Sequence, residues 1–181
     1  MARNDTFFLR TVLTSSGTTY VSDNIDISAY VDPSRGKCLV VDKAVISFSR
    51  TTGGPVRPGD VDAVIGDRSM ATQACSEVQT DVVDLNNNSL FMKSNLYASN
   101  TVLDAGGAGV MGLMEQTDAL NPAEFVSGFI IPTNQIHCGL GVPSNPGAWT
   151  GELDVGFLFE VHTEKLSLQR IQELLVSLTA N

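Results

Sequence analysis

The sequence has little positive charge and no long apolar run. Its 11 lysines and arginines stand against 20 aspartates and glutamates, for a formal net charge of −9. Binding to the phosphates of nucleic acid requires clustered positive charge, so we expect no direct nucleic-acid partner. No apolar stretch approaches the roughly 20 residues that span a bilayer as a helix. The N-terminal residues also lack the apolar region of a secretory signal, so synthesis in the cytoplasm is expected.

Cysteine and histidine are also scarce. The three cysteines, Cys38, Cys75 and Cys138, are odd in number and far apart, which argues against a disulfide framework and fits a reducing compartment. The two histidines, His137 and His162, form no zinc-ligand spacing with one another or with the cysteines. We therefore predict structural roles for all five side chains and no metal site formed by them.

Residue types that favour strands are abundant. The chain has 19 valines, 8 isoleucines and 15 threonines, and these β-branched residues fit a pleated sheet better than a helix. Alternating or continuous apolar patterns bounded by turn residues predict the strands. The predicted strands cover residues 6–13, 25–31, 38–49, 61–65, 75–83, 90–97, 125–131, 135–140 and 153–161.

Loops and helices are predicted from glycine, proline and a change of period. Glycine- and proline-rich stretches predict loops at 51–60 and 141–147, and three consecutive asparagines predict a turn at 86–88. The glycine-rich stretch 105–109 is expected to lead into a short helix. Apolar residues spaced by three and four predict an amphipathic helix over 165–179, with Ser167 as its N-cap.

These elements predict a mostly β fold of one domain. No linker or shift in composition divides residues 1–181. Strands at intervals of roughly 8–12 residues, followed by one C-terminal helix, are typical of an antiparallel two-sheet β-sandwich, and we favour a single jelly roll. A doubly wound α/β fold needs a helix after nearly every strand, and the intervals here are too short and too polar.

One motif resembles a dinucleotide-binding turn. Residues 107–112 read Gly-Ala-Gly-Val-Met-Gly, which satisfies the G-x-G-x-x-G pattern. Such a turn lies between a buried strand and a helix, with an acidic residue at the end of the next strand. The strand predicted next ends at Ile131 without a carboxylate, so we interpret the motif as a loop of small residues.

Calcium is the better-motivated ion. Asp60, Asp62 and Asp67 cluster beside a proline- and glycine-rich loop, and carboxylate oxygens suit Ca²⁺. The D-x-D-x-D-G pattern of an EF-hand is absent. A solvated acidic loop is the favoured interpretation, and we expect no cofactor.

Nothing in the sequence indicates catalysis. There is no G-x-S-x-G nucleophile motif, and the acidic residues offer no distinguished pair. Trp149 is the one tryptophan, too few for an aromatic carbohydrate platform, and is expected to anchor a core or an interface. The terminal helix has only Lys165 and Arg170 as nearby cations, so we expect it to pack against protein rather than lie on a membrane.

The layout resembles the single jelly-roll capsid proteins of tailless prokaryotic viruses, especially archaeal or marine ones. The resemblance lies in the arrangement of 7–12 (FFLRTV), 24–32 (NIDISAYVD), the strand at 38–49, and the closing strand and helix of 153–178. It implies a structural, self-assembling protein of the virion, many copies of which tile a closed shell through edge strands and loops. It implies no catalytic residues.

The chain departs from many small coat proteins because it lacks a basic N-terminal arm. Only Arg3 and Arg10 occur among the first ten residues. If the resemblance holds, another virion protein or an internal membrane would face the genome. A ligand- or carbohydrate-binding β-sandwich, with Ca²⁺ as a candidate ion, is the alternative function.

Overall fold

A computed structural model describes residues 6–17, 19–56, 67–102, 110–142 and 152–179. The strands within these ranges, followed by the helix, are β1 (Phe7–Thr14), β2 (Val21–Asp26), β3 (Lys37–Arg50), β4 (Asp67–Cys75), β5 (Leu90–Val102), β6 (Val110–Leu120), β7 (Phe129–Ile131), β8 (Gln135–Gly141), β9 (Leu153–Lys165) and α1 (Leu168–Thr179).

The strands form two antiparallel sheets that confirm the predicted sandwich. The first sheet has the order β1-β9-β3-β7, and the second has the order β2-β8-β4-β5-β6. Strand β1 pairs with β9, β2 with β8, β3 with β7 and β4 with β5. This is a long antiparallel hairpin wound over on itself, which is the jelly-roll topology. Strand β6 is added at the edge of the second sheet, beside β5.

The core lies between the two sheets and is built by period-two alternation. In β9 the alternate residues Val155, Phe157, Phe159 and Val161 are buried, whereas the residues between them are partly exposed. Phe91 of the second sheet meets Phe159 of the first sheet edge to face, with ring centroids 5.8 Å apart. The alternation that predicted the last strand therefore reflects one face packed on the core.

One edge of the first sheet is completed by side chains. Strand β7 pairs only with Leu39–Val41 of β3, so the following part of β3 has no neighbouring strand on that side among the described residues. There the Asn121 side chain donates to the Ala44 carbonyl (2.9 Å), and the Gln116 side chain donates to the Ile46 carbonyl (3.4 Å). These hydrogen bonds satisfy β3 carbonyl groups that no neighbouring strand reaches, and they connect the two sheets.

The second strand was predicted too far along the chain. Strand β2 ends at Asp26, and residues 27–31 form a turn in which the amides of Tyr30 and Val31 donate to the Ile27 carbonyl. The Asp26 carboxylate accepts from the Ser28 amide at 2.9 Å, which starts the turn despite the continuing apolar alternation.

Two further predictions in the middle of the chain were wrong. The strand predicted at 75–83 is not formed. Strand β4 ends at Cys75, and residues 76–89 form no regular strand. The helix expected after the glycine-rich stretch is instead strand β6, which pairs with β5 from Val102↔Val110 to Lys93↔Leu120. Pairing along this length overrides the local helical pattern. The strand predicted at 61–65 lies outside the described residues, as do residues 143–147 of the loop predicted at 141–147, whereas Gly141 is the last residue of β8.

Other boundaries shift by a few residues. Strand β7 begins at Phe129 rather than at 125, because residues 125–128 form a turn in which the Gly128 amide donates to the Phe125 carbonyl at 3.3 Å. The terminal helix begins at Leu168, and Lys165 belongs to β9. The Ser167 hydroxyl accepts from the Arg170 amide at 3.2 Å, which confirms the predicted N-cap.

Candidate functional site

The outward face of the first sheet carries exposed apolar side chains on adjacent strands. Together with their neighbours on β9, side chains of β1 and β3 form a surface that we call the outer patch. Phe8 is 57% exposed, Val12 60% and Val45 43%. The outer patch consists of Phe8, Arg10, Val12, Lys43, Val45, Gly156, Leu158 and Glu160.

The strand registers fix how the outer patch is arranged. Leu158 lies at the centre, paired with Arg10 on one side and with Val45 on the other. Glu160 lies two residues along β9, and Gly156 lies two residues in the other direction. Gly156 has no side chain, and the position that a Cβ would take there lies only 2.7 Å from the Ser47 hydroxyl, which fills that space.

The charges of the outer patch differ from those of the whole chain. Two cations, Arg10 and Lys43, stand against one anion, Glu160, whereas the whole chain carries a formal net charge of −9. No ion pair joins any of the three to another described residue. The centre of the outer patch is thus apolar, and its three charged groups can form ion pairs with groups of another molecule.

The outward face of the second sheet is covered by the chain itself. Gly139 and Gly141 of β8 leave space that is filled by the Tyr20 ring and by the Val82 side chain, respectively. Any side chain at either glycine would displace these groups. The segment 76–89 therefore crosses this sheet in direct contact with its strands.

Gln73 of β4 holds this segment in place. Its side chain is 1% exposed, donates to the Tyr20 hydroxyl and to the Asp81 carbonyl at 2.9 Å each, and accepts from the Val83 amide at 2.8 Å. Burial raises the pKa of Tyr20. The Lys93 ammonium adds a 2.7 Å hydrogen bond to the Val83 carbonyl.

Two grooves flank Tyr20. One, of about 360 Å³, is lined by Met70, Ala71, Val82 and Asn95 among others. The other, of about 450 Å³, is more polar and includes His137, whose pKa is lowered because burial disfavours the charged ring. Either groove offers mixed polar and apolar surface to a small ligand.

The cysteines occupy the structural positions predicted for them. Cys38, Cys75 and Cys138 are all buried and free. Burial raises the pKa of Cys38 to about 11 and that of Cys75 to about 12, and it raises the pKa of Cys138 as well. In the part of the chain that the structure describes, no group of three or more potential metal ligands is found.

His162 lies on the outward face of β9, as its position in the alternation predicted, and it contacts Asp42. The ring Nδ1 is 2.6 Å from the Asp42 carboxylate, and both side chains are largely buried. Asp42 occupies the register shift between Val41 and Lys43 of β3. This bulge turns the carboxylate toward the ring, so the pair serves to join two strands.

Several candidate residues lie outside the described ranges. They are Asp60, Asp62, Gly107, Gly109 and Trp149, and for them the predictions remain predictions. Asp67 begins β4, and Val110, Met111 and Gly112 begin strand β6 rather than a helix. A dinucleotide-binding turn requires a helix there, so the structure argues against that interpretation of the glycine motif.

The terminal helix packs on its own domain. Ile171 and Leu178 are buried, and the Ser177 carbonyl accepts from the Asn88 side chain at 3.0 Å. A groove of about 390 Å³ between the helix and the segment around Phe129 remains open. In the described part of the chain, no helix is both long and apolar enough to cross a membrane.

Sequence reasoning did not find the outer patch, the Gln73 contacts or the Asp42–His162 pair. The outward position of Arg10 was readable from alternation, but its neighbour Leu158 is 148 positions away and needs the register of β1 on β9. Gln73 lies in the mixed polar and apolar sequence DRSMATQAC of β4, which gives no local signal for a buried polar contact.

Comparisons with known proteins gave only distant structural neighbours. No family model matches the chain, and no curated protein matches it. The chain resembles VP1 of Trichodysplasia spinulosa-associated polyomavirus, with 9% identity, a TM-score of 0.42, and coverage of 90% of this chain and 97% of that one. It also resembles a maize chlorotic mottle virus structure, with 8% identity, a TM-score of 0.29, and coverage of 91% and 96%.

These two structural neighbours are viral capsid proteins. A tailspike of Acinetobacter baumannii phage AM24 is a further neighbour, with 7% identity, a TM-score of 0.22, and coverage of 86% of this chain and 27% of that one. TM-scores below 0.5 do not establish common function, so the function is inferred from the chain's own sheets and surfaces.

Proposed function

We propose that this chain is a structural, capsid-type subunit of a virion, many copies of which assemble into a closed shell. The observation that carries the proposal is the outer patch, where Phe8 and Val12 of β1 and Val45 of β3 are exposed on the two strands that flank Leu158 of β9. Contiguous exposed apolar surface typically marks an interaction site. Burying it between copies contributes about 25 cal/mol for each Å² of apolar surface removed from water.

The fold is compatible with this role. Jelly rolls occur in viral capsid domains and also in lectins, so the fold alone does not select the function. The described residues present sheet faces and edges, and no group of three or more potential metal ligands is found among them. A tiling subunit needs such surfaces and no reactive group.

The charge of the chain shapes the role further. With a formal net charge of −9, the subunit is poorly suited to contact a genome directly. Another virion protein or an internal membrane is proposed to lie between the shell and the genome. Self-repulsion also predicts that assembly depends on salt, since the screening length falls from about 10 Å at 0.1 M to about 3 Å at 1 M salt.

The test is light scattering of the purified chain across protein and salt concentrations, followed by negative-stain imaging. We expect large, regular particles to form as salt rises, and the exposed-site variant Val12→Lys to need higher protein concentration. Val126→Lys, the same substitution at an exposed residue outside the outer patch, controls for the change of charge. A constant monomer mass near 19.3 kDa under every condition would contradict the proposal.

A ligand- or carbohydrate-binding module is the second candidate function. The grooves beside Tyr20, of about 360 and 450 Å³, favour it. A panel of oligosaccharides, with and without Ca²⁺, would then raise the unfolding temperature in a saturable way. Loss of that shift in Asn95→Ala would assign the binding to the first groove.

A further inference from the structure

We infer that the outer patch forms a two-fold contact between two copies of this chain, packed face to face with their strands crossed near a right angle. The inference deepens the proposed function, on which it rests, by naming one surface through which copies associate. Arg10, Leu158 and Glu160 occupy positions on the sheet that determine how two copies can pair.

The registers place these three residues on a simple grid. Neighbouring strands lie ~4.8 Å apart, and successive residues on one face of a strand lie ~6.7 Å apart. Arg10 is one strand to the side of Leu158, and Glu160 is two residues along β9. The two charges therefore lie at similar distances from Leu158, in directions at right angles.

A two-fold axis through Leu158, lying between the facing sheets, can follow the strands or cross them. An axis along β9 puts Glu160 opposite Glu160 of the second copy. An axis across the strands puts Arg10 opposite Arg10 of the second copy. Like charges brought together in an interface oppose association, so both parallel packings are disfavoured.

Two further axes run diagonally between these two directions. Rotation about either of them makes the strands of the second copy cross those of the first near a right angle. One of them places Arg10 over Gly156 and Glu160 over Val45, which removes both charges from water without a partner. The other places Arg10 opposite Glu160 of the second copy and Glu160 opposite Arg10. Only this orientation pairs Arg10 with Glu160, and it does so twice because the contact is symmetric. Lys43, at the edge of the outer patch, then lies near Val12 of the second copy.

The same orientation also matches the apolar groups. Leu158 meets Leu158 of the second copy on the axis, and Phe8 lies next to its own symmetry mate. Val45 comes to within ~2 Å laterally of Gly156 on the facing strand, so it meets no side chain of that residue. Sheets packed with crossed strands are one of the two common arrangements, so the geometry requires no unusual sheet.

The charge of the chain favours a second copy as the occupant. The outer patch carries two cations and one anion, whereas the chain as a whole has a formal net charge of −9. Copies that approach through this face thus avoid much of the repulsion that acts between their other surfaces. The diagonal arrangement of Arg10 and Glu160 is self-complementary. A nucleic acid or an anionic membrane could pair with Arg10 but not with Glu160.

The test exchanges the paired charges. Arg10→Glu and Glu160→Arg are each expected to weaken association at least ~10-fold in sedimentation velocity. Equal mixing of the two variants should restore association, because each mixed pair again carries two contacts between opposite charges. Lys165→Glu, which changes net charge as Arg10→Glu does, should behave like the wild type.

A cross-link provides a second measurement. Leu158→Cys should be captured as a dimer by a short bifunctional maleimide, whereas Val126→Cys, on an exposed turn, should not. Wild-type protein gives the background from the native thiols. Together these results would support the contact at the outer patch.

The possible results distinguish a failure of this two-fold contact from a failure of the proposed function. Wild-type assembly that neither charge variant weakens, or that mixing the two variants does not restore, would overturn this contact and leave the proposed function standing. Assembly without capture of Leu158→Cys would do the same. A wild-type chain that stays monomeric at every protein and salt concentration would overturn both.

Discussion

Gln73 shows how much one buried side chain can determine in this molecule. It is 1% exposed, and each of its polar atoms is hydrogen-bonded to the segment that crosses the second sheet or to Tyr20. Burying an amide costs free energy unless it is bonded, so these contacts and the position of the segment depend on each other.

Replacing Gln73 by methionine is expected to lower the free energy of unfolding by about 2–3 kcal/mol, because the Val83 amide and the Asp81 carbonyl lose their partner. Tyr20→Phe should cost only about 1 kcal/mol, since Gln73 keeps its other bonds. Urea unfolding gives the free energies, and hydrogen exchange of the Val83 amide tests the location. Equal losses in the two variants would contradict this account.

The cysteine thiols are expected to be unreactive in the folded chain. Burial raises the pKa of Cys38 to about 11 and that of Cys75 to about 12, so at pH 8 almost none of either is thiolate, the reactive form. A colorimetric thiol reagent should titrate three thiols per chain in urea and almost none without it. Rapid reaction of the native protein at pH 8 would show that a thiol is accessible.

Helix α1 is stabilised by one face and not by its whole surface. Ile171 is 2% exposed, whereas Leu168 in the first turn is 53% exposed. Ile171→Ala should lower the free energy of unfolding by about 2–4 kcal/mol, and the matched truncation Leu168→Ala by less than about 1 kcal/mol. Similar losses in urea unfolding would mean that the helix does not pack as described.

The elements that were predicted well are those whose pattern is local. Strand β9 alternates over its length and α1 has a three-and-four spacing with Ser167 as its cap, so both are readable from neighbouring residues. Strand β6 was predicted as a helix because its strand state comes from pairing with β5. The turn after Asp26 was missed because one side-chain hydrogen bond interrupts a continuing alternation.

At the scale of the whole molecule, the sandwich and its terminal helix were predictable, but the candidate site was not. Strand number and spacing favour two antiparallel sheets whatever the exact boundaries. The outer patch instead joins β1, β9 and β3, and its central neighbours Arg10, Val45 and Leu158 become adjacent only through two registers. A single sequence carries no local signal for such registers.

The proposed function depends on the assembly of many copies of this chain into a shell. Negative-stain imaging of wild-type protein brought from low to high salt, with mass followed by light scattering, tests it most directly. We expect closed particles of uniform size, and a lower yield of them for Val12→Lys than for Val126→Lys. Monomers alone, or only irregular aggregates unaffected by Val12→Lys, would contradict it.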